Sequence, residues 1–232
     1  MKVYASCSSY ALGCVLGPYE ASRAISVAVA DVKQAEIIPG VAVLRKLREL
    51  AELELRVDGG ATQIAKCRSR HFDAALKSDA ELWFTVDDDI DATLPTLALL
   101  LEAVSDDAPR VCFAPYLQRG TDKVLVTWPE VTSERRLQGG RVRSALYGGF
   151  GLVVVNRPAM HLVARDAPTF FDAVGDEVPK SAAFLETITK EGYWLGEDFA
   201  FFERARRAGV IVEALVDGRV QHAGATLDLS TL

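Results

Sequence analysis

The sequence predicts an α/β fold, a single domain whose mixed, mainly parallel sheet is flanked by helices. Residues 82–86 form an apolar run rich in β-prone side chains, which indicates a buried strand. Strand-like and helix-like segments alternate in the first half of the chain, and this order is typical of parallel sheets with right-handed crossovers. The 232 residues are 50% hydrophobic and contain no linker-like stretch, so one sizeable core is expected.

Each element is predicted from its local pattern. Helices are predicted where apolar side chains recur every three or four residues, and they are 18–32, a segment through Leu44 and Leu47, 61–77, 94–104, a short helix from Pro158, and 197–208. Strands are predicted at 3–5, 53–57, 82–86, 111–115, 124–128, 152–155, 210–215 and 220–222. The connections include a polar loop at 6–9, a turn at 58–60, Gly-rich hairpins or a mobile loop at 129–145, and an irregular aromatic segment at 166–193.

The charge balance restricts the class of ligand. The formal net charge is -6 and the pI is about 5.2, so the surface as a whole does not attract nucleic acid or anionic lipid. A ligand that carries phosphate must therefore be held by local basic groups. A nucleic-acid acceptor is disfavoured for the same reason, unless a local basic patch overrides the net charge.

The cysteines and the apolar segments indicate the cellular compartment of the protein. Four cysteines lie at positions 7, 14, 67 and 112, without a C-x-x-C pair or the dense spacing of a disulfide scaffold. No stretch approaches the ~20 apolar residues of a membrane span. Serines at 6, 8 and 9 interrupt the apolar run that a signal peptide needs. We expect reduced thiols in a cytoplasmic protein.

An acidic cluster follows the apolar run at Asp87, Asp88 and Asp89. Side chains alternate along an extended strand, so Asp87 and Asp89 are expected to project to one side. Two converging carboxylates repel each other and require a cation, a basic partner or full solvation. A divalent metal ion is one solution. The alternative is a solvated turn in which Asp91 or Thr93 caps the following helix.

Several short motifs recur in an order that resembles the nucleotide-sugar-dependent glycosyltransferases of GT-A fold, a Rossmann-like fold. The resemblance covers roughly residues 55–224 and rests on the order of the motifs, since a D-x-D pair alone is weak. In chain order they are Arg68-Ser69-Arg70, Ser78-Asp79-Ala80, Asp87-Asp88-Asp89, Gly148-Gly149-Phe150-Gly151, the segment 196–202 with its Arg-Ala-Arg-Arg-Ala-Gly tail, and His222.

The resemblance implies a metal-dependent transferase that moves a sugar from a nucleoside-diphosphate sugar to a hydroxyl-bearing acceptor. Asp89 would bind the metal, Asp87 would support the metal or the ribose, and His222 would be a further ligand. Because an imidazole joins oxygen ligands, Mn²⁺ is favoured over Mg²⁺, which remains possible. A UDP-sugar is the favoured donor and a GDP-sugar is an alternative, whereas the acceptor is unknown.

Further roles come from the same resemblance. Residues 1–115 would form the nucleotide-binding half, and residues 116–232 would complete the metal site and bind the acceptor, the latter through residues 129–195. If the transfer inverts the anomeric centre, Asp198 would be the general base, with Glu197 as second choice. In a retaining enzyme the pair would position a substrate instead. The residues expected to contact the nucleotide sugar are Ser6, Arg68, Arg70, Asp87, Asp88, Gly148 and Gly149.

Three other functions use the same residues. A phosphatase of the haloacid dehalogenase type would use Asp87 as a nucleophile, although that strand usually comes earlier in the fold. A nucleotidyltransferase also needs two carboxylates and a metal ion. A binding module would hold a nucleotide sugar without turnover. These alternatives remain open at this stage.

Overall fold

The computed structural model describes residues 1–9, 38–59, 64–171, 177–189, 191–222 and 224–231, with the backbone alone at 8, 9 and 55–59. The predicted helix at 18–32, Cys14 and the turn residue Gly60 lie outside the described residues. In the described part of the chain, no helix is long and apolar enough to cross a membrane.

The centre of the structure is a sheet of eight strands. In chain order they are β1 (Lys2–Ser9), β2 (Glu52–Gly59), β3 (Leu82–Asp87), β5 (Arg110–Phe113), β7 (Glu134–Arg136), β8 (Arg141–Ser144), β10 (Leu152–Asn156) and β15 (Ile211–Leu215). Their spatial order is β2-β1-β3-β10-β5-β15-β8-β7. The mixed α/β class is therefore confirmed.

The direction of the strands changes across the sheet. Strands β2, β1 and β3 are parallel, as the alternating pattern of the first half predicts, and β5 is parallel to β15. Strand β10 runs antiparallel between β3 and β5, and β8 runs antiparallel to β15 and β7. The β7–β8 pair is the hairpin predicted in the Gly-rich segment.

Helices cover both faces of the sheet. They are α1 (Pro39–Leu47), α2 (Ile64–Lys77), α3 (Leu94–Ala103), α4 (Arg157–Asp166) and α5 (Glu197–Arg207). The buried side chains of α1 and α3 share one core with Val3, Ala5 and Cys7, and those of α2, α4 and α5 share the other with Tyr4. The alternation of side chains along β1 therefore separates the two cores.

Strand β3 contributes apolar side chains to both cores, which explains why it is apolar apart from Thr85 and its last residue, Asp87. Leu82, Phe84 and Val86 face one core, and Trp83 faces the other. The Trp83 ring lies 5.4 Å from the Phe72 ring and 5.8 Å from the Phe150 ring, centroid to centroid. Strand β3 is thus held on both sides, and its last residue, Asp87, is delivered to a defined position.

The described part of the chain also forms four small sheets. They consist of β4 (Ile90–Ala92), β16 (Arg219–His222) and β17 (Ala225–Asp228), of β6 (Val126–Thr127) and β9 (Tyr147–Gly148), of β11 (Thr169–Phe170) and β12 (Lys180–Ser181), and of β13 (Thr187–Ile188) and β14 (Trp194–Leu195). A 3₁₀ turn at Leu229–Thr231 follows β17. The sequence did not reveal β4, because a three-residue strand has too few positions for an alternating pattern.

Two connections differ from the prediction. Strand β1 continues to Ser9, so residues 6–9 are not a loop, and β2 continues to Gly59, so Asp58 and Gly59 are not a turn. Both extensions arise because β1 pairs with β2 along its whole length, as far as Ser9 and Gly59. Helix α3 begins as expected, since the Thr93 side chain accepts a hydrogen bond from the Thr96 amide.

We expect Asn156 to be a main stabilising polar residue. Its buried amide oxygen accepts from the Arg110 amide at 2.9 Å and from the Ala159 amide at 3.2 Å, and its nitrogen donates to the Ala108 carbonyl at 2.6 Å. Replacement Asn156→Ala removes the cap of α4 and leaves buried backbone groups unpaired, so urea denaturation should show a loss of about 2–4 kcal/mol.

The control for this change is Ser105→Ala, which removes one exposed hydrogen bond to the Glu102 carbonyl. Its effect on the unfolding free energy should stay within about 0.5 kcal/mol. Equal losses for the two variants would contradict the role assigned to Asn156.

Candidate active site

The pairing of two short strands brings the acidic motif and the late histidine together. Strand β4 begins directly after Asp89 and pairs antiparallel with β16, with Ile90 opposite His222. In this register the His222 Nε2 atom lies 3.2 Å from the Asp89 Oδ2 atom. The structure therefore brings Asp89 and His222 into contact, and the cause is a backbone pairing that the sequence analysis missed.

The orientation of the imidazole is set by a backbone carbonyl. The Nδ1 atom of His222 lies 2.7 Å from the Leu117 carbonyl oxygen, which can only accept, so Nδ1 carries the proton. The Tyr116 ring packs against the imidazole with a centroid distance of 4.8 Å. In the neutral tautomer the Nε2 lone pair then faces the carboxylate of Asp89. Two lone pairs in this arrangement require a shared proton or a shared metal ion.

Arg119 is the second partner of Asp89. Its Nη2 atom contacts the same Oδ2 atom, although the Arg119 side chain is 71% exposed. It lies on a turn between Leu117 and Val124 in which Gly120 has φ +71°. Arg119 is one of a group of six basic residues in this part of the sequence, the others being Lys123, Arg135, Arg136, Arg141 and Arg143.

The other five basic residues of that group extend from Lys123 to Arg143, and three of them form ion pairs away from the acidic motif. Arg135 donates to Glu213, Arg141 to Asp217, and Arg143 to Glu134. The first two pairs link the β7–β8 hairpin to β15 and to the segment that follows it, and the third joins the two strands of the hairpin. They are structural contacts and do not reach the acidic motif.

A buried arginine links the acidic motif to helix α5. The Arg68 side chain is only 4% exposed, and its Nη2 atom lies 2.9 and 3.1 Å from the two Asp87 carboxylate oxygens. Its Nη1 atom contacts Asp198 and lies 3.6 Å from Glu197. One guanidinium thus holds three carboxylates. Its burial shows that Arg68 is not part of a solvated helix face.

Burial and neighbouring charges shift the pKa of the Asp87 carboxyl. Burial raises the pKa of its carboxyl to about 6, because the charged form is desolvated, while the Arg68 guanidinium opposes the rise. Asp198 and Asp89 add to it, which shows that the two aspartates of the motif interact. Burial also raises the pKa of the Tyr116 hydroxyl well above its usual value, with Asp87 and Asp198 contributing.

The Gly-rich segment packs against aromatic rings. A Cβ atom at Gly148 would overlap the Phe113 ring, and one at Gly149 would overlap Tyr116. The Gly151 amide donates to the Tyr116 hydroxyl at 3.2 Å, and the Phe150 amide donates to Asp198 at 3.1 Å. The sequence analysis expected a ligand to approach Gly148 and Gly149. Protein rings fill the space where their side chains would be.

Helix α1 fixes the acidic turn from the other side. The Gly40 amide donates to the Asp88 carbonyl at 3.1 Å, and a Cβ at Gly40 would overlap the Asp87 carbonyl. The backbone of the motif therefore packs against the first turn of this helix. Only glycine at position 40 permits so close a contact.

The three expected metal ligands do not form one group. Asp89 and His222 meet, whereas both Asp87 oxygens accept from Arg68. Strand β3 ends at Asp87, so the strand alternation that predicted convergence does not continue to Asp89. Among the described residues, no group of three or more His, Cys, Asp or Glu side chains is arranged to hold a metal ion.

Two expected nucleotide contacts lie elsewhere. Ser6 is fully buried inside β1 and accepts a hydrogen bond from the Trp83 indole at 3.0 Å, so its side chain belongs to the core and offers no surface to a base. Arg70 follows Arg68 by two positions, about 200° around the helix, so the two side chains leave opposite faces. Tyr116, which packs against His222, was not among the predicted site residues. It nevertheless follows a strand end, where ligands of α/β sheets bind.

A cavity of about 530 Å³ lies next to this cluster. It is bounded by the first turns of α2, by Glu197 at the start of α5, and by five residues between them in the chain, namely Thr169, Phe170, Ala182, Leu185 and Glu186. Glu197 therefore belongs both to the cavity wall and to the surroundings of Arg68.

Comparison with known proteins supports the fold. No protein-family model matches the chain, and neither does any curated protein. The structure is similar to that of A197 from STIV, with a TM-score of 0.55 and 13% sequence identity over 99% of this chain and 91% of that one. It is also similar to GalNAc-T7, solved with UDP, GalNAc and Mn²⁺, with a TM-score of 0.49 and 11% identity over 95% of this chain and 43% of that one.

Replacement of Arg68 tests the charge balance of the cluster. In Arg68→Met, Asp87 and Asp198 lose their common counter-ion, so the unfolding free energy at neutral pH should fall by about 3–5 kcal/mol. The matched control is Arg165→Met, which removes the same charge from an exposed side chain that pairs with the neighbouring Asp166, and it should cost less. Urea denaturation measures both. Equal losses would show that the contacts of Arg68 contribute no more than an ordinary surface charge.

Proposed function

We propose that this protein is a metal-dependent glycosyltransferase that moves a sugar from a nucleoside-diphosphate sugar, with UDP favoured over GDP, to a hydroxyl group. The observation that carries the proposal is the contact between Asp89 and His222. It joins the acidic motif to a histidine near the other end of the chain, and the resemblance in the sequence predicts this combination. In this proposal residues 1–115 supply the nucleotide-binding half and residues 116–232 complete the metal site.

The donor set fits a metal ion. Asp89 offers an oxygen, and His222 offers Nε2, while the Leu117 carbonyl holds the opposite nitrogen. Metal-binding histidines commonly donate their second N–H to a carbonyl in this way. An imidazole together with carboxylate oxygen favours Mn²⁺, with Mg²⁺ second. The remaining ligands would be water and the donor, since the described residues offer only this pair. When bound, the metal would stabilise negative charge on the leaving diphosphate.

The charge of the cluster supports a requirement for a cation. Four carboxylates, Asp87, Asp89, Glu197 and Asp198, lie around two guanidinium groups, those of Arg68 and Arg119, which leaves a formal charge of -2. A diphosphate would be repelled by this charge unless a divalent ion entered with it. The proposal therefore includes displacement of Arg119 from Asp89 by the metal.

The contacts favour Glu197 over Asp198 as the general base. Both Asp198 oxygens already accept hydrogen bonds, one from Arg68 and one from the Phe150 amide, and such bonds weaken a carboxylate as a base. Glu197 borders the cavity and is held less closely. In an inverting reaction the acceptor oxygen bonds to the anomeric carbon, the bond to the diphosphate breaks, and Glu197 takes the hydroxyl proton. Asp198 then positions Arg68.

The phosphatase alternative is less well supported. A nucleophilic aspartate needs a free oxygen, whereas both Asp87 oxygens accept from a buried arginine. A nucleotidyltransferase is separated from the proposed activity by the product, because only a glycosyltransferase moves the labelled sugar and releases the nucleoside diphosphate.

Ligand binding tests the proposal without knowledge of the acceptor. We expect UDP to raise the melting temperature only when Mn²⁺ is present, because ligands of the folded state stabilise it. Calorimetric titration should show Mn²⁺ affinity reduced by about 10-fold or more in Asp89→Asn and in His222→Gln. Arg119→Gln should bind Mn²⁺ more tightly, since it removes the resident cation.

Two matched variants control these changes. Asp91→Asn removes a carboxylate two positions from Asp89 that is paired with Lys46, and Lys123→Gln removes a charge from the turn that carries Arg119. Both should keep the wild-type affinity for Mn²⁺. Equal binding of UDP with and without metal, or an unchanged affinity in Asp89→Asn, would contradict the proposal.

A further inference from the structure

The cavity beside Glu197 has the size of a small-molecule site. Its volume of about 530 Å³ lies within the ~300–1,000 Å³ that such sites usually have. Its walls come from two rigid elements and a connecting segment, with Ile64 and Ala65 on α2, and Phe170, Ala182 and Leu185 opposite. Half of the lining side chains are apolar, and the other half are polar or charged.

The cavity is continuous with the acidic cluster through one residue. Glu197 lines the cavity, and its Oε1 atom lies 3.6 Å from Arg68 Nη1. The other guanidinium nitrogen, Nη2, holds Asp87. A ligand in the cavity would therefore present a group to Glu197 on the side of Arg68 opposite to Asp87.

The charges on the wall restrict what the cavity can hold. Glu186 and Glu197 contribute two carboxylates, and Lys66 contributes one ammonium group. This balance disfavours phosphate and carboxylate ligands, so it does not suit the nucleotide of a donor. Five of the ten lining side chains are apolar, and the hydroxyl groups of an oligosaccharide that face them would be left unpaired.

We infer that this cavity binds a neutral or cationic small molecule with an apolar, ring-sized body and a hydroxyl group that reaches Glu197. The inference rests on the proposed function in one respect, which is that this molecule is the acceptor. Its apolar body contacts Phe170 and Leu185, and a cationic substituent is stabilised by Glu186. The acceptor class is then a hydroxylated small molecule rather than a glycan or a nucleic acid.

Binding of matched probes to the whole protein tests this without catalysis. 4-Ethylphenol, tyramine and 4-hydroxyphenylacetate share a phenol ring and differ in charge, while maltose represents the excluded oligosaccharides. Ligand-observed NMR should show binding of the neutral and cationic phenols. The affinity for the anionic phenol should be lower by about 5-fold or more, and maltose should not bind.

Variants at the cavity wall locate the binding. Leu185 is 52% exposed and lines the cavity, whereas Ile188 is 56% exposed and does not, so Leu185→Gln and Ile188→Gln are matched polar replacements that should both fold. Leu185→Gln should weaken the binding of 4-ethylphenol about 5- to 10-fold, and Ile188→Gln should leave it unchanged. Glu186→Gln should weaken the binding of tyramine, because it removes the carboxylate that stabilises the ammonium group. Glu177→Gln, away from the wall, should leave the binding of tyramine unchanged.

The outcomes separate this inference from the proposed function. Equal effects of Leu185→Gln and Ile188→Gln, or preferred binding of 4-hydroxyphenylacetate or maltose, would overturn the inference. Intact Mn²⁺-dependent binding of UDP in the same samples would leave the proposed function standing. Probe binding as expected, without any Mn²⁺-dependent binding of UDP, would support the cavity as a site and overturn the proposed transferase.

Discussion

The arrangement of the site depends on the pairing of β4 with β16. These strands are three and four residues long, yet their register sets His222 beside Asp89, and the Leu117 carbonyl turns the imidazole so that Nε2 faces the carboxylate. Without this pairing, a histidine in the last strands would have no fixed relation to the acidic motif. The position of the motif depends in turn on β3, which both cores bury, and on the close contact with Gly40.

Charge is the second constraint on the site. Arg68 is buried among three carboxylates and lies over the Phe150 ring, with 5.5 Å between the guanidinium carbon and the ring centroid. It ties strand β3 to helix α5, so the acidic motif and the Glu197–Asp198 pair form one electrostatic unit. The excess of carboxylates at this unit explains why a nucleoside diphosphate is expected to bind together with a divalent cation.

The sequence predicted the elements that are long or strongly patterned. It failed for features whose position depends on pairing with distant parts of the chain. The buried strand at 82–86, the helix opened by Glu197 and the β7–β8 hairpin follow from local patterns. The strand β4, the continuation of β1 through Ser6, and the burial of Arg68 depend on partners distant in the chain, so no local pattern reveals them. Arg119 was visible as a basic residue, but its contact with Asp89 follows from a turn geometry that composition does not encode.

The central claim is that Asp89 and His222 share a metal ion, and magnetic resonance of bound Mn²⁺ tests it most directly. With ¹⁵N-labelled histidine in the protein, the account predicts a hyperfine coupling from one histidine nitrogen to the bound Mn²⁺ in the wild type. The coupling should be absent in His222→Gln and present when either of the other two histidines is replaced. Mn²⁺ bound to the wild type without any nitrogen coupling would contradict the account.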